Sequence, residues 1–129
     1  MAIDHISLGV SDLAKSTAFY EAVLAPIGFV KMIEAADRSA FGKRFPELWL
    51  NSRPGLQPLP ETTGTHIAFR ALGEDAVNAF HAAALASGGK DAGAPGPRPA
   101  ALTSYYGAFI FDPDGNKIEA MYFPKPLQA

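Results

Sequence analysis

Residues 5–29 align without a gap on residues 66–90, at an offset of 61, and 8 of the 25 positions are identical. The matches are His5, Ile6, Ala18, Phe19, Ala22, Leu24, Ala25 and Gly28 in the first copy. Shuffling the two compositions gives roughly 2 to 3 matches, so the chain reads as an internal duplication. A looser match extends it. Glu47 and Glu119 each lie in a short strand pattern, seven residues before a proline, Pro54 and Pro126. With 129 residues in total, neither half buries a sheet alone, so the two halves must share one core.

Local patterns give each half the same order of elements. Ile3 to Val10 alternates Ile6, Leu8 and Val10 on one face with Ile3, His5, Ser7 and Gly9 on the other, which is a strand with one apolar side. Ser11-Asp12 then caps a helix over Asp12–Ala25, whose inner stripe is Leu13, Tyr20, Leu24 and Ile27, flanked by Phe19 and Val23. Pro26 and Gly28 end it. Short strands follow at Phe29–Ala35, Ser39–Gly42 and Glu47–Asn51, then a Pro/Gly-rich crossover to Gly64. The second half restarts with a strand at Thr65–Ala71. A helix over Glu74–Ser87 follows, with Val77, Phe80, Ala84 and Leu85 inside. Lys90 to Pro99 reads as a Gly/Pro loop holding a very short strand at best. Tyr105–Phe111 and Lys117–Phe123 form a hairpin around Asp112-Pro113-Asp114-Gly115-Asn116. The expected fold is α+β: two βαβββ modules, about 1–60 and 64–125, forming a cupped mixed sheet with both helices outside.

Composition narrows the chemistry. There is no Cys, which excludes disulfides, zinc ribbons, iron–sulfur clusters and thiol nucleophiles. A net charge of −2 without a basic stripe argues against a nucleic-acid partner. No apolar run approaches the roughly 20 residues of a membrane span. The start MAIDHISLGV has no secretion-signal pattern, so a cytoplasmic location is expected. No Ser-His-Asp order, P-loop or dinucleotide Gly-rich turn occurs.

The candidates for chemistry follow from the duplication. His5 and His66 are repeat equivalents at the start of each first strand, and Glu119 and Glu47 lie in the last strands; alternation points His5, His66 and Glu119 into the concavity, and the repeat symmetry is expected to bring them together in one coordination sphere. Two imidazoles with one or two carboxylates suit a divalent transition metal with open positions. Trp49 shares a face with Glu47 and Met121 with Glu119, as cavity walls or as core. One of Tyr105 and Tyr106 must face the open side of the sheet. Arg98 is an anion contact at a pocket rim or a solvated loop charge. His81, opposite Tyr20 in the repeat, reads as a surface or interface residue.

Three segments together resemble the vicinal oxygen chelate (VOC) superfamily: D-H-I-S-L-G-V-S-D-L-A-K-S-T-A-F-Y from Asp4, G-T-H-I-A-F from Gly64, and F-D-P-D-G-N-K-I-E-A from Phe111. That group includes glyoxalase I (lactoylglutathione lyase), extradiol dioxygenases, fosfomycin-resistance transferases, methylmalonyl-CoA epimerase and bleomycin-binding proteins. The resemblance implies the glyoxalase/bleomycin resistance/dihydroxybiphenyl dioxygenase fold, with His5, His66 and Glu119 as ligands of a divalent ion (Ni, Zn, Fe, Co or Mn). Glu47 matches the additional carboxylate of glyoxalase I members. It further implies a homodimer whose cavity is completed across the interface. The expected function is metal-dependent chemistry on a small substrate with adjacent oxygens, either proton transfer through an enediolate or a dioxygenase reaction, with Glu119 or Glu47 moving the proton. The alternative is a metal-free protein of the bleomycin-resistance type, which sequesters a small molecule in an aromatic-lined cleft.

Overall fold

A computed structural model of the chain describes residues 2–124; residue 125 and Pro126, which end the second half, lie outside the described residues. The first half runs β1 (Ile6–Val10), α1 (Leu13–Leu24), a one-turn 3-10 helix (Ala25–Ile27), β2 (Val30–Glu34), β3 (Arg38–Gly42) and β4 (Leu48–Ser52). The second runs β5 (His66–Arg70), α2 (Glu74–Ala86), β6 (Lys90–Arg98), β7 (Tyr105–Phe111) and β8 (Lys117–Tyr122). Each half builds one four-stranded sheet, in the orders β1-β4-β3-β2 and β5-β8-β7-β6. In both, the first strand pairs parallel with the last and the other pairings are antiparallel. This is the duplicated βαβββ arrangement, and no closed barrel forms among the described residues.

Both helices start where the sequence supplies a stop to the preceding strand. Asp12 caps α1, its Oδ1 accepting the Lys15 N–H at 3.1 Å. Pro26 enters the 3-10 turn, and Gly28, at φ +91°, closes it by donating to the Ala25 carbonyl. The core lies between helices and sheets. Phe19, Tyr20, Val23 and Leu24 of α1 and Val77, Phe80 and Ala84 of α2 meet Val10, Phe41, Leu48, Leu50, Ile110, Ile118 and Ala120.

The structure corrects three expectations. Leu85 is largely exposed, and His81 takes the buried position instead, because Nε2 finds Asp91 Oδ1 at 2.8 Å. Lys90–Arg98 is a nine-residue strand rather than a loop. It is tolerated because β6 is the edge of its sheet, where Pro95 and Pro97 need no second partner strand, and because its pairing with β7 shifts register at the glycines. Ser16 and Thr17 are also buried in α1, with Thr17 Oγ1 and Ser39 Oγ 2.9 Å apart.

The Asp112–Asn116 turn ties the halves together. Asp112 Oδ1 accepts the N–H groups of Asp114 and Asn116, and Oδ2 accepts Asn116 Nδ2 and the Tyr20 hydroxyl, the last at 2.5 Å. Asp114 accepts the Ser11 N–H at the entrance to α1. Gly115, at φ +89°, passes so close to Leu59 that a Cβ would stand 2.7 Å from its carbonyl oxygen.

Candidate functional site

Strand alternation divides the β5-β8-β7-β6 sheet into two chemically different faces. Ile67, Phe69, Ala108, Ile110, Ile118 and Ala120 turn into the core. The partner registers Ala68 with Glu119, and Phe109 with Glu119, put His66, Glu119 and Phe109 together on the other, open face. There His66 Nε2 lies 3.3 Å from Glu119 Oε1. Glu119 is 3% exposed, and its Oε2 has no hydrogen-bond partner. A buried carboxylate oxygen without a partner is costly unless a cation compensates it. An imidazole nitrogen beside that carboxylate is a donor set that fits a divalent ion.

Gly107 and Tyr105 shape the same spot. A Cβ on Gly107 would stand 2.7 Å from Tyr105 Cε2 and 3.2 Å from Glu119 Oε2, so the glycine keeps the tyrosine ring and the carboxylate side by side. Burial first, and second the Glu119 carboxylate, which draws the Tyr105 hydroxyl hydrogen although no hydrogen bond of ordinary length joins the two, push that hydroxyl up to about 12. It is therefore a protonated donor at neutral pH. Sequence reasoning did not single out Gly107; its one signal was a glycine inside a strand pattern. Phe109 was missed as well, though it pairs with Glu119 and carries the His66 ring edge-on at 5.6 Å.

The remaining candidates are distributed unevenly. Met121 and Arg98 share the open face with Glu119, Met121 by alternation and Arg98 through its register with Tyr105. Tyr106 does not: it points to α2, its hydroxyl donating to Asn78 Oδ1 at 2.7 Å. Trp49 lies on the open face of the other sheet, by alternation with the buried Leu48 and Leu50, while His5 and Glu47, expected within strands, stand one residue before β1 and β4, where the Ile6 N–H donates to the Glu47 carbonyl. His5 Nδ1 is 2.7 Å from Asp4 Oδ1, and Glu47 Oε2 accepts the Lys43 N–H at 3.2 Å. Both line a cavity of about 340 Å³ between β1 and β5, with Phe29 and Phe69 in edge contact beside it. Within one chain the structure thus joins His66 to Glu119 but brings neither His5 nor Glu47 to them. Among the described residues, no group of three or more His, Cys, Asp or Glu side chains stands together as a metal cage.

A sequence model of the Glyoxalase/Bleomycin resistance protein/Dioxygenase superfamily matches residues 2–120. The chain belongs to that superfamily. Among solved structures of the superfamily, it is similar to a glyoxalase/bleomycin resistance protein from Albidiferax ferrireducens T118, at 31% identity and a TM-score of 0.84, covering 95% of this chain and 100% of that one. The fold also matches a glyoxalase-related enzyme from Fulvimarina pelagi, at 18% identity and a TM-score of 0.73, over 100% and 94% of the two chains. The fosfomycin resistance protein FosX from Listeria monocytogenes matches at 22% identity and a TM-score of 0.69, over 95% and 93%. A search of curated proteins finds no match. Among the described residues, no helix is long and apolar enough to cross a membrane.

Proposed function

We propose that this protein is a metal-dependent, glyoxalase-like enzyme that moves a proton next to a carbonyl in a small substrate with adjacent oxygens. The observation that carries the reading is the buried Glu119 carboxylate, one oxygen beside His66 and the other without a partner. His66 and Glu119 would hold the ion from one chain, and His5, with Glu47, from a second copy in a homodimer. What supports the second copy is that His5 and Glu47 line one cavity together and stay apart from the pair within one chain. A divalent ion bound there would supply Lewis-acid polarisation of the substrate's adjacent oxygens. The chain's own groups do the rest. A carboxylate at the site, Glu119 or Glu47, accepts the proton. The Tyr105 hydroxyl, protonated at neutral pH, donates a hydrogen bond to an oxygen that gains negative charge.

The test is uptake of nickel, zinc, cobalt, manganese or ferrous iron. At least one binds with micromolar affinity or better, and His66→Ala or Glu119→Gln weakens it at least roughly tenfold, while His81→Ala does not. If none binds, the metal-free reading takes over: a protein that sequesters a small molecule on the aromatic face of Tyr105, Phe109 and Phe123. The clustering of those rings, with Tyr105 and Phe123 at 6.0 Å, favours that second reading.

A further inference from the structure

The open face of the β5-β8-β7-β6 sheet carries a charge opposite to that of the chain. The protein has a net charge of −2, yet around the single carboxylate of Glu119 this face presents Arg98, Lys117 and Arg70. The Arg98 guanidinium carbon stands 5.0 Å from the centre of the Phe109 ring, and Lys117 Nζ stands 4.8 Å from the same centre. Arg70 lies over Phe123 at 5.2 Å. Among the described residues, none of the three cations is in an ion pair. The acid on the same strand as Arg98, Asp91, is committed to His81 and to the Gly93 N–H. Its register with Ile110 turns it to the helix side.

Arg98 is also fixed in place. Its Nε donates to the Gly107 carbonyl at 3.2 Å and its Nη2 to the Ala94 carbonyl at 2.7 Å. A guanidinium has five N–H donors, so these two bonds hold the group and leave donors uncommitted. Stacking on Phe109 accounts for where the two cations lie and satisfies no N–H. Two cations without an ion-pair partner, Arg98 held by the backbone and Lys117 on a side chain free to swing, thus stand against the same ring and offer N–H donors to a negatively charged ligand.

We infer that the substrate of this site carries a small oxyanion, a carboxylate or a phosphate or phosphonate, bound by Arg98 and Lys117 beside Phe109. The inference rests on the proposed function for its position, since the same face is taken to hold the substrate. It adds the class of molecule: adjacent oxygens at one end and a negative oxyanion at the other.

The experiment titrates inorganic phosphate and, separately, acetate into the metal-free full chain by calorimetry, at ionic strength held constant with sodium chloride. At least one binds with a millimolar or tighter dissociation constant, and the tighter of the two names the source of the oxyanion. Lys117→Gln and Arg98→Gln each weaken that binding at least threefold. Arg98→Lys retains part of it, and Arg44→Gln, an exposed arginine elsewhere, leaves it unchanged. Lys117 holds no backbone bond, so Lys117→Gln decides the matter if Arg98→Gln disturbs β6. Binding of neither anion, or equal binding by wild type and Lys117→Gln, overturns the inference. Metal uptake is measured on the same samples. Uptake without anion binding overturns this inference alone. Anion binding without uptake overturns the metal reading and leaves the oxyanion pocket standing.

Discussion

Tyr105 keeps its proton far into alkaline pH because burial and the Glu119 carboxylate both oppose a phenolate there. The sign of the linkage follows. With a folded value of about 12 against an ordinary 10.0, the folded chain holds this proton more tightly than the unfolded chain does. The contribution to stability is complete below about pH 10 and is lost as pH rises from there to about 12. Tyr20, buried against Asp112, is raised as well and adds to the same alkaline loss. A spectrophotometric titration of the folded protein should therefore show a tyrosinate step near pH 12 that Tyr105→Phe removes. A Tyr105 that ionises near pH 10 would show that the ring does not sit against Glu119. Adjacent tyrosines illustrate what sequence leaves open. Alternation requires Tyr105 and Tyr106 to face opposite ways, but which one faces the site is fixed by the register of β7 on β8, a tertiary quantity.

At the level of elements, β6 departs furthest from its local sequence. Four of its nine residues are Gly or Pro, Gly93, Pro95, Gly96 and Pro97, and local propensity gives a loop. Tertiary ties override it: His81 of α2 holds Asp91 at one end, and Arg98 holds the Gly107 carbonyl of β7 at the other. The bond to His81, first, and that from the Gly93 N–H depress the Asp91 carboxyl. The tie is thus at full strength above the ordinary aspartate range and weakens as pH falls through the depressed value. Asp91→Ala should speed amide hydrogen exchange in the Lys90–Gly93 end of β6 by about threefold or more, through the lost bonds to His81 and the Gly93 N–H, with β8 unchanged. Unchanged exchange in β6 would mean that the pairing with β7 suffices to hold it. The other elements were legible because period and punctuation agreed. Asp12, Pro26 and Gly28 bracket α1, and β7 begins and ends where its apolar run does. Glu119 was legible in the same way, since Ile118 and Ala120 have to face the core. The separation of His5 from His66 was not, because repeat symmetry relates two residues without bringing them into contact.

For the whole molecule, the proposed function makes a site that draws on two chains. In the proposed homodimer a twofold axis would bring the open face of one sheet to the open face of the partner's other sheet, and each of the two sites would then draw His66 and Glu119 from one copy and His5 from the other. Either His5→Ala or His66→Ala destroys both sites of a homodimer. A mixed dimer of the two variants behaves differently. One of its sites takes the intact His5 from the His66→Ala chain and the intact His66 from the His5→Ala chain, and the other site takes neither. Unfolding and refolding the two variants together makes half the dimers mixed, so about a quarter of all sites should regain tight metal binding. A site contained within one chain regains nothing on mixing, because every chain then carries one broken ligand. The refolded mixture should thus bind close to a quarter of the wild-type metal stoichiometry while each variant alone binds little. A mixture no better than its parts would put His5 and His66 in the same chain's site, or leave His5 out of the site altogether.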